Sequence, residues 1–174
     1  MKILITGSNG LLGQKLLHKL RQDSSVELIA TSKGENRVSE RNGYTYFDLD
    51  ITNNDAVVHL IAREKPQVVI NTAAMTNVDL CEDEKKACDA LNVDAVKYLA
   101  DACEKIDAHL IQISTDFIFD GEDGPYSEED EPNPLSYYGL SKLKSEQVLQ
   151  AHSVKWTILR TIIVFGVGEN LSKG

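Results

Sequence analysis

The sequence predicts an α/β fold built on a doubly wound parallel sheet. Short apolar runs alternate with amphipathic segments along the chain, which is the pattern of repeated strand–helix units. A glycine-rich turn closes the first apolar run and opens the first amphipathic segment. At 174 residues the chain has the length of one domain and can bury a substantial core.

Each predicted strand is a short run of apolar and β-branched residues, and each predicted helix repeats apolar residues at helical spacing. The predicted strands cover residues 2–6, 27–31, 45–47, 67–71, 109–114 and 156–160. The predicted helices cover residues 11–22, 53–64, 85–106 and 136–151. The second helix begins with a good cap at Asn53 and ends before Pro66. A loop of about twenty residues separates the fifth strand from the last helix, and loops of this length are usually functional or mobile.

The composition is that of an ordinary globular protein, with 42% hydrophobic and 26% charged residues. The formal net charge of −9 argues against nucleic acid or anionic membrane as a partner. Seven acidic residues lie within residues 120–131. We interpret this acidic segment as a solvated loop rather than a metal site, because it lacks the ligand spacing of a calcium loop.

The cysteines and the N-terminus bear on the compartment. Cys81, Cys88 and Cys103 contain no C-x-x-C pair, so we expect reduced, mostly buried thiols. The sequence starts directly on a predicted strand, so we expect no signal peptide, and no apolar run approaches the length of about 18 residues that a membrane span needs. These observations favour the cytoplasm.

The glycine-rich turn has the spacing and context of a dinucleotide site. Gly7, Gly10 and Gly13 stand between the first strand and the first helix. Gly7 permits a tight turn, Gly10 lets the backbone approach a pyrophosphate, and Gly13 allows close packing of helix and strand. The helix N-terminus adds N–H donors and a favourable dipole for phosphates. We therefore predict a Rossmann fold whose cofactor contacts Gly7, Ser8, Asn9, Gly10, Leu11, Leu12 and Gly13, the alternative being a glycine turn without a ligand.

The end of the second strand bears on the choice of cofactor. An NAD-binding fold places a carboxylate there for the ribose 2′-hydroxyl, but this chain has Ser32 and Lys33. Both side chains could contact a 2′-phosphate, so we predict NADPH, with NADH as an alternative. Ser32 and Lys33 could also merely start a loop, and the nearby Glu35 keeps NADH open.

Tyr138 and Lys142 stand four residues apart at the start of the last predicted helix and share one helical face. A neighbouring ammonium favours phenolate over phenol, so we expect Lys142 to lower the pKa of Tyr138 from its usual value of about 10. Tyr138 could then exchange a proton with a substrate oxygen. The alternative is a half-buried ring beside a solvated amine, because tyrosine and lysine are both common.

Together, the glycine turn and the Y-x-x-x-K string resemble the extended short-chain dehydrogenase/reductase family. The chain also has sequences similar to the N-x-A-A turn of that family, at residues 71–74, and to its adenine-pocket segment, at residues 49–52. The resemblance spans essentially the whole chain and is closest to the dTDP-4-dehydrorhamnose reductase subgroup. The segments that carry it are AAMTNVDLCE at 73–82, STDFIFDG at 114–121, PNPLSYYGLSK at 132–142 and LRT at 159–161.

The resemblance implies an NAD(P)H-dependent reductase of a 4-keto sugar nucleotide, acting in dTDP-L-rhamnose synthesis. The catalytic positions of the family fall on Thr115, Tyr138 and Lys142, and Asn92 matches a residue that braces a water relay. A carbonyl that receives hydride needs a hydroxyl donor and a proton source, which Thr115 and Tyr138 could supply. Further cofactor contacts fall on Asp50, Ile51, Ala73, Ala74, Tyr138 and Lys142, and substrate contacts on Thr76, Val78, Asp116 and Phe117.

The chain departs from the resembling reductases in three ways. They usually carry a tryptophan after the sixth strand, where this chain has T-I-I-V at residues 161–164, so the stacking surface for the sugar is altered. Some bind magnesium between subunits through an acid in the first helix, where this chain has Lys15, so we expect no bound metal and a homodimer only without that link. Their substrate lobe follows the sixth strand, and we expect residues 1–174 to form the NAD(P)-binding domain without that lobe.

Two other functions stay open. One is a non-catalytic, cofactor-binding regulatory subunit that resembles the regulatory subunit of methionine adenosyltransferase, since such proteins retain very similar motifs. The other is a sugar-nucleotide epimerase or dehydratase. Dehydratases usually place an acidic pair beside the catalytic hydroxyl, and this chain supplies only Asp116.

Overall fold

The structure, a computed structural model, describes residues 1–171. Its strands are β1 (Lys2–Thr6), β2 (Glu27–Ser32), β3 (Thr45–Asp48), β4 (Val68–Asn71), β5 (His109–Thr115) and β6 (Lys155–Thr161). Within residues 1–171, these six strands form one parallel sheet in the order β3-β2-β1-β4-β5-β6. Each predicted strand is present, with its ends shifted by at most one residue.

The helices are α1 (Leu11–Leu20), α2 (Asn54–Glu64), α3 (Val78–Asp83), α4 (Lys85–Asp89), α5 (Ala95–Glu104) and α6 (Tyr137–Gln150). Side chains of β1 alternate between two cores, with Leu4 in one and Ile3 and Ile5 in the other. Leu17 of α1 packs in the second core, whereas α2, α5 and α6 pack in the first. Helices therefore cover both faces, and the predicted doubly wound parallel sheet is confirmed.

The order of the strands places a crevice at one edge of the sheet. The chain moves outward from β1 to β2 and β3, then crosses over to β4 and continues to β5 and β6. The loops that leave the carboxyl ends of β1 and β4 therefore diverge to opposite sides. Ligands of such sheets bind at this switch point.

The predicted helix at residues 85–106 is wrong as a single regular helix. A π-helical turn, Ala90–Asp94, lies between α4 and α5, and a separate helix, α3, precedes them. The Asn77 side chain caps α3 by accepting a hydrogen bond of 2.9 Å from the Leu80 amide. A π turn adds one residue to a helical turn and is common at functional sites.

The other predicted helices are confirmed with shifted ends. The Asn53 and Ser136 side chains accept hydrogen bonds from Ala56 and Gly139, so they cap α2 and α6 as N-cap residues rather than form the first helical turn. Helix α1 ends two residues earlier than predicted, at Leu20.

The acidic segment is mostly exposed, as predicted, but it is anchored at its start. Tyr126 stacks on Phe119 with ring centroids 4.3 Å apart and donates a hydrogen bond of 2.5 Å to Asp120. Hydrogen bonds from the Glu122 amide, Tyr126 and Asn133 lower the pKa of Asp120 to about 2. These contacts give the start of the loop a defined conformation.

All three cysteines are buried and free. Burial raises the pKa values of Cys81 and Cys103 to about 12, so these thiols are unreactive at neutral pH. Within residues 1–171, no helix combines the length and apolar character that crossing a membrane requires. The same range contains no cluster of three or more His, Cys, Asp or Glu side chains arranged to hold a metal ion.

Candidate active site

A cleft of about 540 Å³ opens at the switch point of the sheet. Its walls come from the glycine turn, the loop after β4, the end of β5, the first turns of α6 and the segment after β6. The predicted site residues that line it are Gly10, Leu11, Leu12, Gly13, Ala73, Ala74, Thr76, Val78, Thr115, Phe117, Tyr138 and Lys142. Residues from distant parts of the sequence thus meet in one cavity of the size that a ligand site requires.

The glycine turn is packed too closely for larger side chains at two positions. Gly7 has a φ of +68°, and a Cβ placed there would lie 2.6 Å from the Ala73 nitrogen. A Cβ on Gly13 would lie 2.4 Å from the Gly7 carbonyl oxygen. At Gly10 the nearest atom would be 3.3 Å away, so this exposed glycine leaves open space above the turn.

The donor groups at the start of α1 suit a phosphate ligand. Gly10 precedes the helix and has no side chain with which to cap the first N–H groups. These groups and the helix dipole favour a bound anion. The Ser8 hydroxyl in the same turn is buried without a hydrogen-bond partner among the described residues. A buried hydroxyl without a partner is costly, and an anionic ligand would offer it an acceptor.

Asn9 joins the glycine turn to the loop after β2. Its side-chain oxygen accepts a hydrogen bond of 2.9 Å from the Arg37 amide, and its side-chain nitrogen donates one of 2.8 Å to the Glu35 carbonyl. Asn9 is itself buried. It therefore positions the loop beside the turn.

The residues predicted to contact the adenosine end lie apart from this cleft. The Lys33 ammonium pairs with the Asp50 carboxylate at 2.7 Å, and this contact, with Thr52, lowers the pKa of Asp50 to about 2. Ser32 ends β2, and Ile51 is buried in the first core. None of these four residues is among the described residues that line the cleft. The ion pair instead brings together the loops after β2 and β3.

Thr115 ends β5 at the floor of the cleft and is 5% exposed. Its hydroxyl group accepts a hydrogen bond of 3.2 Å from the Phe117 amide and donates one of 3.2 Å to the Asp116 carboxylate. Phe117 lies edge-on to the Tyr138 ring, with centroids 5.9 Å apart. Asp116 is exposed and is not among the described lining residues, so of these neighbours only Phe117 faces the cavity.

The expectation that Lys142 lowers the pKa of Tyr138 is wrong in this structure. Burial raises the pKa of Tyr138 above its ordinary value, and the nearby Thr115 hydroxyl only partly opposes this effect. The Lys142 ammonium instead donates a hydrogen bond of 2.6 Å to the Ile113 carbonyl. Tyr138 is consequently a protonated phenol at neutral pH, which is the form that an acid catalyst needs.

Lys142 is nearly completely buried, with 3% exposure. Burial disfavours its charged form and lowers its pKa to about 8, while the Glu146 carboxylate raises it. The half-buried ring beside a solvated amine that the sequence left open is therefore excluded for this pair. In a low-dielectric site, the charge of an ammonium interacts more strongly with neighbouring polar groups than it would in water.

Asn92 lies in the π turn and is 1% exposed. Its side chain accepts a hydrogen bond of 2.8 Å from the Met75 amide and donates to the Met75 carbonyl at 3.0 Å. It also donates a hydrogen bond of 2.9 Å to the Ser141 hydroxyl of α6. Asn92 therefore fixes the cleft loop after β4 to the helix that carries Tyr138.

Sequence reasoning missed the polar groups that lie behind Lys142. Glu146 is completely buried and contacts Ser114 and Arg160. The only sequence signal for this cluster was the spacing of Glu146, four residues after Lys142 on the same helical face. The segment at residues 161–164 also lines the cleft.

The family model described as the RmlD substrate binding domain matches residues 1–173. A dTDP-4-dehydrorhamnose reductase of Aggregatibacter actinomycetemcomitans is 38% identical over 174 residues, which cover 99% of this chain and 55% of the relative. The methionine adenosyltransferase 2 subunit beta of Bos taurus is 34% identical over 172 residues, covering 99% of this chain and 49% of the relative. The chain thus spans about half the length of these relatives.

Solved structures agree with the sequence matches. A dTDP-4-dehydrorhamnose reductase of Clostridium acetobutylicum has a TM-score of 0.84 and 43% identity, over 98% of this chain and 56% of that one. The Bacillus anthracis dTDP-4-dehydrorhamnose reductase in complex with NADP has a TM-score of 0.79 and 31% identity, over 97% of this chain and 56% of that one.

Proposed function

Because the chain belongs to the RmlD substrate binding domain family, we propose that the full-length protein is an NADPH-dependent reductase of a 4-keto sugar nucleotide. The proposed substrate is that of the dTDP-4-dehydrorhamnose reductases, in dTDP-L-rhamnose synthesis. The observation that carries the proposal is the cleft itself. It joins the glycine turn to Thr115, Tyr138 and Lys142.

NADPH, when bound, supplies the hydride for the reduction. We propose that its pyrophosphate lies over the glycine turn, where the α1 N-terminus and the unpartnered Ser8 hydroxyl are available. Ala73 and Ala74 line the same cleft and would also contact the cofactor. The NADP complex of the Bacillus anthracis reductase supports this choice, and NADH remains the alternative cofactor.

The side chains at the other end of the cleft suit carbonyl reduction. As hydride arrives at the carbonyl carbon, negative charge develops on the oxygen, and the Tyr138 phenol gives it a proton. The Thr115 hydroxyl donates a hydrogen bond to the same oxygen. Lys142 would hold the nicotinamide ribose, and Asn92 would brace the proton path by fixing α6.

We propose that the sugar nucleotide enters beside Phe117, Thr76 and Val78, which line the cleft. Asp116 is proposed as a rim contact because it is exposed and adjacent to Thr115. Ile162 and Ile163 are both more than 70% exposed and would contact the sugar in place of an aromatic ring.

A direct test supplies the full-length protein with NADPH and dTDP-4-dehydrorhamnose while nicotinamide absorbance is followed. Loss of absorbance that requires both components supports the reductase. No oxidation of NADPH or NADH would exclude it.

The alternative, a regulatory subunit, has support from the 34% identity to methionine adenosyltransferase 2 subunit beta. It predicts a stoichiometric partner enzyme in pull-downs from native lysate and no turnover.

We propose that Lys33 and Ser32 contact the 2′-phosphate of NADPH, with Asp50 and Ile51 beside the adenine. Replacing Lys33 with alanine should then weaken NADPH binding by about tenfold, the loss of one charge-assisted hydrogen bond, while NADH binding changes little. Fluorescence titration of both cofactors measures this ratio. Lys19→Ala, which removes an exposed lysine of α1, is the matched control. If Lys33→Ala weakened the binding of NADPH and NADH equally, Lys33 would not contact the 2′-phosphate.

We further propose membership of the extended short-chain dehydrogenase/reductase class and a cytoplasmic location. The glycine turn and the Tyr138–Lys142 pair support the class, and the free cysteines support a reducing compartment. A homodimer, if it forms, is proposed to do so without magnesium, because Lys15 stands on the exposed side of α1. Sedimentation with and without a chelator tests this point.

A further inference from the structure

Glu146 is a buried carboxylate with no role in the reaction proposed above. It is 0% exposed, and it lies one helical turn after Lys142 on α6. The Ser114 hydroxyl donates a hydrogen bond of 2.5 Å to it. The Arg160 guanidinium of β6 donates to it through Nε and Nη2, at 2.8 Å for the shortest contact. Each polar atom of this carboxylate is thus held by a defined partner.

The contacts of Glu146 run beside those of the catalytic groups. Three consecutive residues of β5 are involved: the Ile113 carbonyl accepts from Lys142, the Ser114 hydroxyl donates to Glu146, and Thr115 faces the cleft. Glu146 and Lys142 therefore attach α6 to two consecutive residues of β5. A shift of α6 along β5 would break both contacts and move Tyr138 away from Thr115.

The same cluster extends to the acidic segment. The Arg160 guanidinium donates a hydrogen bond of 3.0 Å to the Glu128 carbonyl and lies 5.4 Å from the centroid of the Phe119 ring. The position of Arg160 thus links the acidic segment to the carboxylate behind Lys142.

Charge gives Glu146 a second effect on Lys142. A buried ammonium is unstable without a nearby negative charge, and Glu146 opposes the desolvation of Lys142. Among the described residues, the Cys88 thiol on α4 also acts on Lys142, and Tyr138 lies one helical turn before it on α6. From β6, Arg160 faces Glu146 and partly offsets its charge. Glu146 is the carboxylate among the described groups that favours the ammonium.

We propose that Glu146 is a positioning residue for Lys142: it fixes the register of α6 on β5 and keeps the lysine ammonium charged. Calling Lys142 catalytic rests on the proposed function, but the contacts and the charge effect do not. The proposal can therefore be tested on this chain without any turnover.

The test is an NMR titration of the Lys142 ¹³Cε resonance, assigned from its absence in Lys142→Arg. In the wild-type chain, the pH midpoint of this titration is expected near 8. In Glu146→Gln the residual Arg160 charge and the loss of the carboxylate both disfavour the ammonium, so the midpoint should fall by about one unit. Asp89→Asn is the matched control, because it removes one carboxylate that pairs with Lys144 on the far side of α6 and should leave the midpoint unchanged.

Breaking a buried ion pair can unfold a protein, so Glu146→Gln/Arg160→Met is made in parallel. Removing both charges leaves no unpaired ion, and the midpoint should still fall, by less than in the single variant. A midpoint equal to or above that of wild type, in whichever of the two variants folds, would overturn the proposal. Absence of turnover in the full-length protein would reject the proposed function and leave this result unaffected.

Discussion

Replacing Tyr138 with phenylalanine is expected to lower turnover of the full-length protein by about 100- to 10,000-fold, because the reaction loses its proton donor. Cofactor affinity should be preserved, since the ring remains and only the hydroxyl is removed. Stopped-flow measurement of nicotinamide absorbance gives the rate, and fluorescence titration gives the affinity.

Tyr137→Phe is the matched control for this prediction. The Tyr137 hydroxyl donates a hydrogen bond of 2.7 Å to Asp89, and Tyr137 is not among the described residues that line the cleft. Its loss should leave turnover nearly unchanged. Equal rates for wild type and Tyr138→Phe would remove Tyr138 from the chemistry, whereas a large loss of cofactor affinity would assign it a structural role.

Gly13→Ala is expected to lower the free energy of unfolding by about 3 kcal/mol or more, as overpacking against fixed backbone does. The added Cβ would stand 2.4 Å from the Gly7 carbonyl oxygen and 2.7 Å from the Ser8 Cα. Backbone cannot move aside as a flexible side chain can, so α1 must shift away from β1. Urea denaturation of the chain measures this loss, and cofactor affinity should fall with it.

Gly10→Ala serves as the comparison because Gly10 has an ordinary φ of −78° and only the Gly7 oxygen near its Cβ position, at 3.3 Å. The free energy of unfolding of this variant should change by less than about 1 kcal/mol. The added Cβ should nevertheless obstruct the space above the turn and weaken cofactor binding. If Gly13→Ala were as stable as Gly10→Ala, the close packing of α1 on the turn would be incorrect.

The strands and the glycine turn could be predicted because their signals are local. Apolar runs such as residues 2–6 specify buried parallel strands, and Gly7 and Gly13 stand where the backbone makes close contacts. The Tyr138–Lys142 pair was identified by its helical spacing, and both residues do line the cleft. Chemistry carried by one segment was therefore readable from the sequence.

Features set by tertiary packing could not be predicted from the sequence. The π turn that aims Asn92 at Met75 and Ser141 depends on contacts between segments far apart in sequence. The raised pKa of Tyr138 follows from burial, which the spacing to Lys142 does not reveal. Glu146 looks like a surface residue of an amphipathic helix until Arg160 and Ser114 are placed around it.

The most direct test of the central claim is an NMR titration of this chain with NADPH, following backbone amide shifts. The cleft is proposed to hold the cofactor from the glycine turn to Tyr138. We therefore predict saturable shifts at Leu11, Leu12 and Gly13 and also at Thr115 and Tyr138. Shifts confined to other surfaces, or no saturable binding by NADPH or NADH, would contradict the account.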